Sequence, residues 1–162
     1  TLGPIWIPSL LETASMYRRW VVHHGQEDPY QARDMWREYL DIRPDDLQAS
    51  TDYAWLLYQF EGFDEAFTFL DEQLNGISDF DDAEQRKIHL LSKLGTLTQR
   101  EGKYDLSIRY FTELSTLIPN DIQCLKNLLY LHNKAGYQDL AYEVEMQIRE
   151  LQEEGWHGAQ KK

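Results

Sequence analysis

The chain has 162 residues, a length that suits one compact domain or a short array of repeats. Its 28 acidic residues against 16 basic ones give a formal net charge of −12, which argues against nucleic-acid binding because that function needs clustered Lys and Arg. The single cysteine excludes an internal disulfide framework. The sequence contains no run of 18 apolar residues, so it predicts no membrane-spanning helix. We expect this cysteine, Cys124, to be a small buried residue within a helix.

The N-terminal residues are predicted to form an extended segment, residues 1–9, and then a helix. The chain does not begin with Met, which favours a processed product or a piece of a longer protein. Ile5-Trp6-Ile7 either covers the exposed end of the first helix pair or contacts a partner or membrane-proximal surface. Ser9 and Glu12 have capping-box spacing, so the first helix is expected from about Leu10 to His24.

Three further helices are predicted before residue 75, each from a capping residue at its start. Asp28-Pro29 combines a cap with Pro at the first helical position. Asp45-Asp46 caps a helix over Leu47–Phe60, and Asp64 lies at the start of a helix that reaches about Leu74. The first of these three helices has a predicted buried stripe of Met35, Trp36, Tyr39 and Leu40.

The next stretch is acidic and leads into a longer helix. Residues 61–84 contain nine acids and no base, a composition typical of a solvated face. The acids around Asp79 and Glu84 lack the Gly and Glu that an EF-hand calcium loop requires, so helix capping is the favoured interpretation. Asp82 with Gln85 predicts a helix from about Ala83 to about Glu101.

Residues 100–121 contain the clearest turn, helix and stop in the chain. Gly102 ends one helix, Tyr104 begins the next, and Pro119-Asn120-Asp121 ends it. The apolar stripe of this helix comprises Leu106, Ile108, Phe111, Leu114, Leu117 and Ile118. One such helix cannot bury its stripe alone, so it needs similar helices beside it.

The chain supplies these helices at a fixed period. GYQDLAYEVEMQI, starting at Gly136, repeats the turn and helix start of Gly102, which lies 34 residues earlier. Ala32 and Ala66 are also 34 residues apart. The last helix is predicted to end at Gly155, and residues 154–162 are expected to be a flexible tail.

A 34-residue period of helix–turn–helix units resembles the tetratricopeptide repeat (TPR) family, over about residues 13–151 and most strongly over 88–121. The family pattern places a small residue at the helix crossing, a large apolar residue four positions later, and a closing Pro. The matching residues are Ala32, Trp36, Tyr39 and Pro44, then Ala66 and Leu70, then Leu91, Leu94, Gly95, Tyr104, Ser107, Phe111 and Pro119, and finally Leu125, Leu128, Gly136 and Ala141. The second unit lacks the closing Pro, and the fourth has Glu145 where an aromatic residue is expected.

The resemblance implies an all-α, right-handed α-solenoid of about four units. The solenoid would cover residues 10–153, with units at about 13–46, 47–87, 88–121 and 122–153. Ala66 and Ser107 are 41 residues apart, seven more than the repeat. Seven residues are about two helical turns, so the insertion can lengthen a helix without rotating its faces.

Patterns of catalytic or metal chemistry are missing, so we expect no enzyme activity, cofactor or metal. No HExxH, CxxC, phosphate-binding glycine loop or GxSxG sequence is present. No two of the five histidines lie three or four residues apart, as two ligands on one helix face would. The carboxylates lie on predicted exposed faces, where nothing raises their pKa.

The resemblance implies a concave groove lined by the first helix of each unit, where another protein would bind. The expected partner-binding residues are Tyr17 and His24 in the first unit, Gln48, Thr51, Trp55 and Tyr58 in the second, His89, Lys93, Thr96 and Arg100 in the third, and Lys126, Tyr130, Asn133 and Lys134 in the fourth. Packing between repeats is an equal alternative for Trp55 and Tyr58. Residues 88–100 and 122–135 each contain two Lys or Arg and no acid, which favours an extended or helical, acidic partner segment. The Lys and Asn carboxylate clamp of chaperone-binding TPR domains is not reproduced.

The predicted function is a protein–protein interaction module or scaffold within a larger assembly. The alternative is a structural solenoid that self-associates into a homo-oligomer through its end surfaces, Ile5-Trp6-Ile7 at one end and Tyr142, Val144 and Ile148 at the other. The sequence leaves the localisation open between cytoplasm and periplasm, with a larger or membrane-anchored parent protein as a further option.

Overall fold

The computed structural model describes residues 28–160, apart from the side chain of Pro29, and all regular elements in that range are helices. The α-helices are α1 (Pro29–Ile42), α2 (Leu47–Phe60), α3 (Phe63–Asn75), α4 (Ala83–Arg100), α5 (Tyr104–Leu117), α6 (Ile122–Ala135) and α7 (Gln138–Gln160). A short 3-10 helix, Ile77–Asp79, precedes α4. The predicted segment 1–9 and the predicted helix Leu10–His24 lie outside the described residues. The chain divides into two compact units, which are distinct from the four predicted repeats: the first unit is Thr1–Phe69 and the second unit is Leu70–Lys162, with the boundary inside α3.

Aspartates begin three of the helices, two as the sequence predicts and a third, Asp121, which the sequence analysis assigns only to the end of the preceding helix. Asp28 accepts a hydrogen bond from the backbone N–H of Gln31 at 3.2 Å, and Asp46 accepts one from Ala49 at 3.1 Å. Asp121 accepts from Cys124 at 2.8 Å. These bonds satisfy N–H groups that have no partner within the helix, so the caps fix where α1, α2 and α6 begin.

Glycines in the left-handed region connect the two helices of each pair. Gly62, Gly102 and Gly136 have φ of +102°, +76° and +84°. After α4, the N–H of Gly102 donates to the carbonyl of Gln99 at 3.0 Å, and the N–H of Lys103 donates to Thr98 at 2.9 Å. Only glycine adopts this backbone without a Cβ penalty, so these turns recur where one helix of a pair ends and the next begins.

In the first unit, α1 packs on α2 through buried aromatic residues. Trp36 is 3% exposed and meets Tyr39 edge to face at 5.6 Å between ring centroids. The Tyr39 hydroxyl donates to Asp46 at 2.6 Å, which ties α1 to the cap of α2. Arg37 donates from Nε to the Tyr53 hydroxyl at 3.2 Å. The predicted packing roles of Ala32, Trp36 and Tyr39 are confirmed by their burial.

In the second unit, α4 and α5 cross at a position where only glycine fits. A Cβ added to Gly95 would lie 2.6 Å from the ring of Phe111, which is itself 1% exposed. The Ser107 hydroxyl donates to the Gly95 carbonyl at 2.7 Å, so the predicted small residue also bonds across the crossing. The cluster around this crossing comprises Leu91, Phe111, Leu114, Cys124, Leu128 and Leu131. Helix α6 packs on α5, and α7 packs on α6.

The seven-residue insertion is divided between a helix and a connection. Four of the extra residues lengthen α4 to 18 residues, against 14 in α6. The other three lie in the connection between α3 and α4, which spans residues 76–82 and contains the 3-10 helix. Asp82 occupies the N-cap position of α4, but its side chain makes no capping bond and pairs with Arg86 at 2.7 Å. The sequence-based interpretation of Asp82 as a capping side chain is therefore wrong.

The last helix is longer than the sequence analysis predicts. It continues through Gly155 and Gly158 to Gln160, so the predicted end at Gly155 is wrong. Gly155 does not take a positive φ, unlike Gly62, Gly102 and Gly136. A helical glycine costs about 1 kcal/mol relative to Ala but does not remove a backbone hydrogen bond, so the helix can pass through it.

Candidate partner-binding surface

A depression in the second unit lies between α4 and α6, with α5 beneath it. Its volume is about 380 Å³, and its lining residues are Gln85, Ile88, His89, Ser92, Phe111, Leu114, Ile118, Asp121, Gln123, Cys124 and Asn127. The first half of α4 therefore faces the first half of α6. The two helices run in the same direction, and their C-terminal halves extend together beyond the depression.

The depression has an apolar floor and a polar rim. Phe111 and Leu114, buried residues of α5, form the floor together with Ile118 at the end of that helix. The rim carries the side-chain amides of Gln85 and Gln123 and that of Asn127. An apolar recess bordered by a few polar groups is the usual composition of a ligand pocket.

Exposed cations lie on both helices next to the depression and beyond it. Lys93 follows Ser92 on α4, and Lys126 precedes Asn127 on α6. Arg100 and Lys134 lie seven and eight residues further along, about 10–12 Å at the rise of an α-helix. Among the ion pairs of residues 28–160, none involves Lys93, Lys126 or Lys134.

Other predicted partner-binding residues on α4 and α6 lie among these cations. Tyr130 is 45% exposed, and the Lys134 ammonium lies over its ring at 5.6 Å from the centroid. Thr96 and Asn133 are exposed, and Thr96 Oγ1 donates to the Ser92 carbonyl at 2.9 Å. His89 is half-buried and lines the depression.

The opposite end of the depression is acidic. Asp81, Asp82 and Glu84 are exposed before and at the start of α4, and Asp121 caps the start of α6. The local charge therefore changes sign along the two parallel helices, from negative at their N-terminal ends to positive at their C-terminal ends.

The partner-binding residues predicted for the second repeat lie on α2, within the first compact unit. Trp55 and Tyr58 stack at 5.6 Å between centroids, and Trp55 is 37% exposed. Exposed Gln48 donates to Asp52 at 3.0 Å. Thr51 is only 7% exposed and its hydroxyl donates to the Gln48 carbonyl, so it presents little surface to a partner. The predicted residues Tyr17 and His24 lie outside the described part of the chain.

Cys124 is buried beneath the depression, as predicted. It is 3% exposed, and its Sγ lies 3.4 Å from the Phe111 carbonyl, to which the thiol donates. Burial, and secondarily the charge of Asp121, raises the thiol pKa to about 11. The thiolate is the reactive form, so this cysteine is inert at neutral pH while the fold is intact.

Gln85 and Ile88 line the depression, although the repeat pattern does not predict them as groove residues. Both belong to the first turns of α4: Gln85 lies in the four residues by which this helix exceeds α6, and Ile88 follows directly after them. The 41-residue spacing was the available signal, since a longer first helix adds residues to the surface that it lines.

Another missed residue is His132, which is 7% exposed near the end of α6. Within the described residues no hydrogen bond reaches its Nδ1, and burial lowers its pKa. Its ring lies 6.3 Å from that of Tyr137, whose hydroxyl donates to Asp105 at 2.6 Å. The apolar neighbours of His132 on α6 were the only signal of its burial in the sequence.

Solved structures with similar architecture decide the fold. MamA MSR-1 aligns at a TM-score of 0.60 with 16% identity, over 83% of this chain and 74% of that one. MamA AMB-1 aligns at 0.58 with 18% identity, over 82% and 75%. Pseudomonas aeruginosa pilF aligns at 0.61 with 18% identity, over 83% of this chain and 59% of that one. The chain has a tetratricopeptide repeat fold.

The TPR assignment rests on these folds together with the repeat residues in the core. No protein-family model matches the sequence, and no curated protein sequence matches it. The TPR pattern predicted from the sequence is confirmed as a fold, while the handedness of the solenoid stays a prediction. None of the helices between residues 28 and 160 is long and apolar enough to cross a membrane.

Proposed function

We propose that the chain is a non-catalytic protein–protein interaction module that binds an extended or helical, acidic segment of another protein on α4 and α6. The observation that carries this proposal is the set of exposed cations, Lys93, Lys126 and Lys134, on two parallel helices that border an apolar depression. The TPR fold of MamA and pilF supports a scaffold role by analogy of fold alone.

The charge distribution supports an acidic ligand. The whole chain carries a net charge of −12, yet residues 88–100 and 122–135 contain no acid. Cations beside a recess orient an oppositely charged segment and favour its encounter. Exposed Tyr130 adds aromatic contact area, which contributes strongly to binding at protein interfaces.

Helix stability alone does not explain these cations. Arg100 and Lys134 lie in the last turns of their helices, where positive charge stabilises the helix dipole. Lys93 and Lys126 lie well before those turns, where the dipole effect is small. A ligand accounts for all four positions, whereas helix capping accounts for two.

The test is capture of partners from the native cell, identified by mass spectrometry. The double variant Lys126→Glu/Lys134→Glu is expected to lose the acidic partner that the wild-type chain captures. The control Arg109→Glu/Arg149→Glu makes the same change in net charge at exposed positions of α5 and α7. It should retain the partner, and circular dichroism should show both variants folded. Recovery of the same partner by the Lys126→Glu/Lys134→Glu variant would contradict the proposal.

Self-association is the second candidate function, because α7 exposes apolar side chains. Leu140 is 46% exposed, Tyr142 63% and Trp156 60%. Ile148, which the sequence analysis placed on this end surface, is instead buried at 7% exposed, and Val144 packs against the core. The surface at Ile5-Trp6-Ile7 lies outside the described residues.

Light scattering across a range of concentrations separates the two functions. A mass that rises with concentration, and that Tyr142→Glu returns to the monomer, is expected if α7 drives assembly. A monomer at the highest concentration would exclude this second candidate and leave the first unaffected.

A further inference from the structure

The depression and the cations lie at different places along α4 and α6, which constrains the order of groups in a ligand. The depression is lined on α4 by residues from Gln85 to Ser92, and the cations on that helix are Lys93 and Arg100. The apolar recess therefore comes before the positive charge along both helices. A ligand that uses both features must carry two kinds of side chain in a fixed order.

The volume of the depression suits a side chain and not a folded element. Its 380 Å³ lies near the lower end of the about 300–1,000 Å³ that is usual for ligand pockets. The floor of Phe111, Leu114 and Ile118 offers no charge, so it favours a bulky apolar side chain.

The rim suits a peptide backbone above that side chain. Each amide of Gln85, Gln123 and Asn127 offers both donors and an acceptor, which match the N–H and C=O groups of an extended chain. In the described part of the structure, no hydrogen bond engages these three side-chain amides.

The distances along α4 set the spacing between the two groups. From His89, near the middle of the depression, Lys93 is about 6 Å and Arg100 about 16 Å along the helix axis. An extended peptide advances about 3.3 Å per residue, so carboxylates two to five residues from the apolar side chain would reach these cations.

The acidic end of the same surface fixes the direction. Asp81, Glu84 and Asp121 lie beside the start of the two helices, where they would repel a carboxylate of the ligand. Carboxylates are therefore favoured on one side of the apolar side chain only.

We infer that the partner segment is asymmetric: one bulky apolar side chain fills the depression between α4 and α6, and carboxylates two to five residues to one side of it lie over Lys93, Lys126, Arg100 and Lys134. This inference rests on the proposed function and specifies the chemistry of its ligand.

Selection from a random peptide library displayed on phage tests the inference without knowledge of the partner. The wild-type chain is the bait, and peptides that also bind Lys126→Glu/Lys134→Glu are removed. Enriched peptides are expected to share a Phe, Leu, Ile or Trp with Asp or Glu two to five residues to one side. Synthetic peptides are then compared by fluorescence anisotropy, each against a version of the same composition with the acids moved to the other side of the apolar residue.

A variant that fills the depression tests the apolar contact separately. Ser92→Phe places a ring in the recess, and Thr112→Phe places the same ring on an exposed position of α5 outside it. Selected peptides should bind Ser92→Phe at least tenfold more weakly and Thr112→Phe as well as the wild-type chain.

Four outcomes separate this inference from the function on which it rests. Enriched peptides that need the lysines but lack the spaced apolar residue would overturn the inference and leave the proposed function standing. Equal binding of the rearranged peptides, or full binding to a folded Ser92→Phe variant, would do the same. Failure to enrich any lysine-dependent peptide would contradict both.

Discussion

Gly95 sets how closely α4 approaches α5. Its missing side chain lets the Phe111 ring fill the space where a Cβ would be, and the Ser107 hydroxyl bonds to its carbonyl. Three residues that the repeat pattern singles out therefore act at one crossing. The contacts among these three residues explain why each position needs its residue type, beyond its place in the repeat pattern.

Replacing Gly95 by Ala is expected to destabilise the second unit. The new methyl group would lie 2.6 Å from a buried ring that has little room to move, and overpacking of this kind costs about 1–3 kcal/mol. The gain in helix propensity, about 1 kcal/mol, offsets part of that loss. Urea unfolding measures the difference.

Gly155→Ala is the matched control for this substitution. Gly155 is also helical, but nothing lies within 4 Å of its added Cβ, so the same change should raise stability by up to about 1 kcal/mol. Equal effects at the two positions would show that the Phe111 contact is unimportant.

His132 should make stability depend on pH. Burial lowers its pKa in the folded state, so the unfolded chain, where a histidine titrates near about 6.5, binds the proton more readily. The free energy of unfolding should therefore fall as the pH drops below about 6.5, with a slope of at most about 1.4 kcal/mol per pH unit from this group.

Urea titrations between pH 7.5 and 5.5 measure this slope, and His132→Leu should reduce it. Nuclear magnetic resonance of the wild-type protein gives an independent readout, because His132 should stay neutral at a pH where an exposed histidine is protonated. An unchanged slope in a folded His132→Leu variant would contradict the assignment.

At the scale of the elements, side-chain caps fix the starts of α1, α2 and α6. Asp121→Ala removes the bond to the Cys124 N–H and should destabilise the protein by about 1 kcal/mol. Asp82→Ala is the comparison, since Asp82 holds the same position in α4 without a capping bond. Its loss removes a pair with Arg86 in which Asp82 is exposed and Arg86 is only 13% exposed; Arg86 keeps its place over the Phe80 ring, so we expect a cost of at most about 1 kcal/mol. Chemical denaturation of both variants would contradict the cap assignment if Asp82→Ala were the more damaging.

Helix starts could be predicted from the sequence more reliably than the end of α7. Asp28 and Asp46 predict the starts of α1 and α2, because a short polar side chain at the N-cap accepts a hydrogen bond from the backbone of the first turn. Glycine signals a helix end only where the backbone turns left-handed, as at Gly102 and Gly136, and Gly155 does not. The sequence cannot distinguish these cases, since the backbone conformation of a glycine depends on the packing around it.

At the scale of the whole molecule, the repeat pattern predicts the TPR fold but only part of the candidate surface. The cations follow from the family's register on α4 and α6. The depression between them depends on the extra turn of α4 and on the α5 side chains beneath it, such as Phe111. A pattern within single helices cannot predict a recess that three helices form together.

The single cysteine, Cys124, provides a native probe of local opening between α5 and α6. Cys124 lies between the α5 core and the depression, with a thiol pKa of about 11. A thiol reagent such as Ellman's reagent should modify it only when α5 and α6 separate, so the labelling rate measures the free energy of that opening. If this opening coincides with global unfolding, Gly95→Ala should accelerate labelling by about tenfold for each 1.4 kcal/mol of lost stability. Labelling of the wild-type protein as fast as that of a free thiol would contradict the burial of Cys124. A peptide bound in the depression should slow the same reaction. The labelling rate of the Cys124 thiol therefore reports both peptide binding and local opening, without an introduced cysteine.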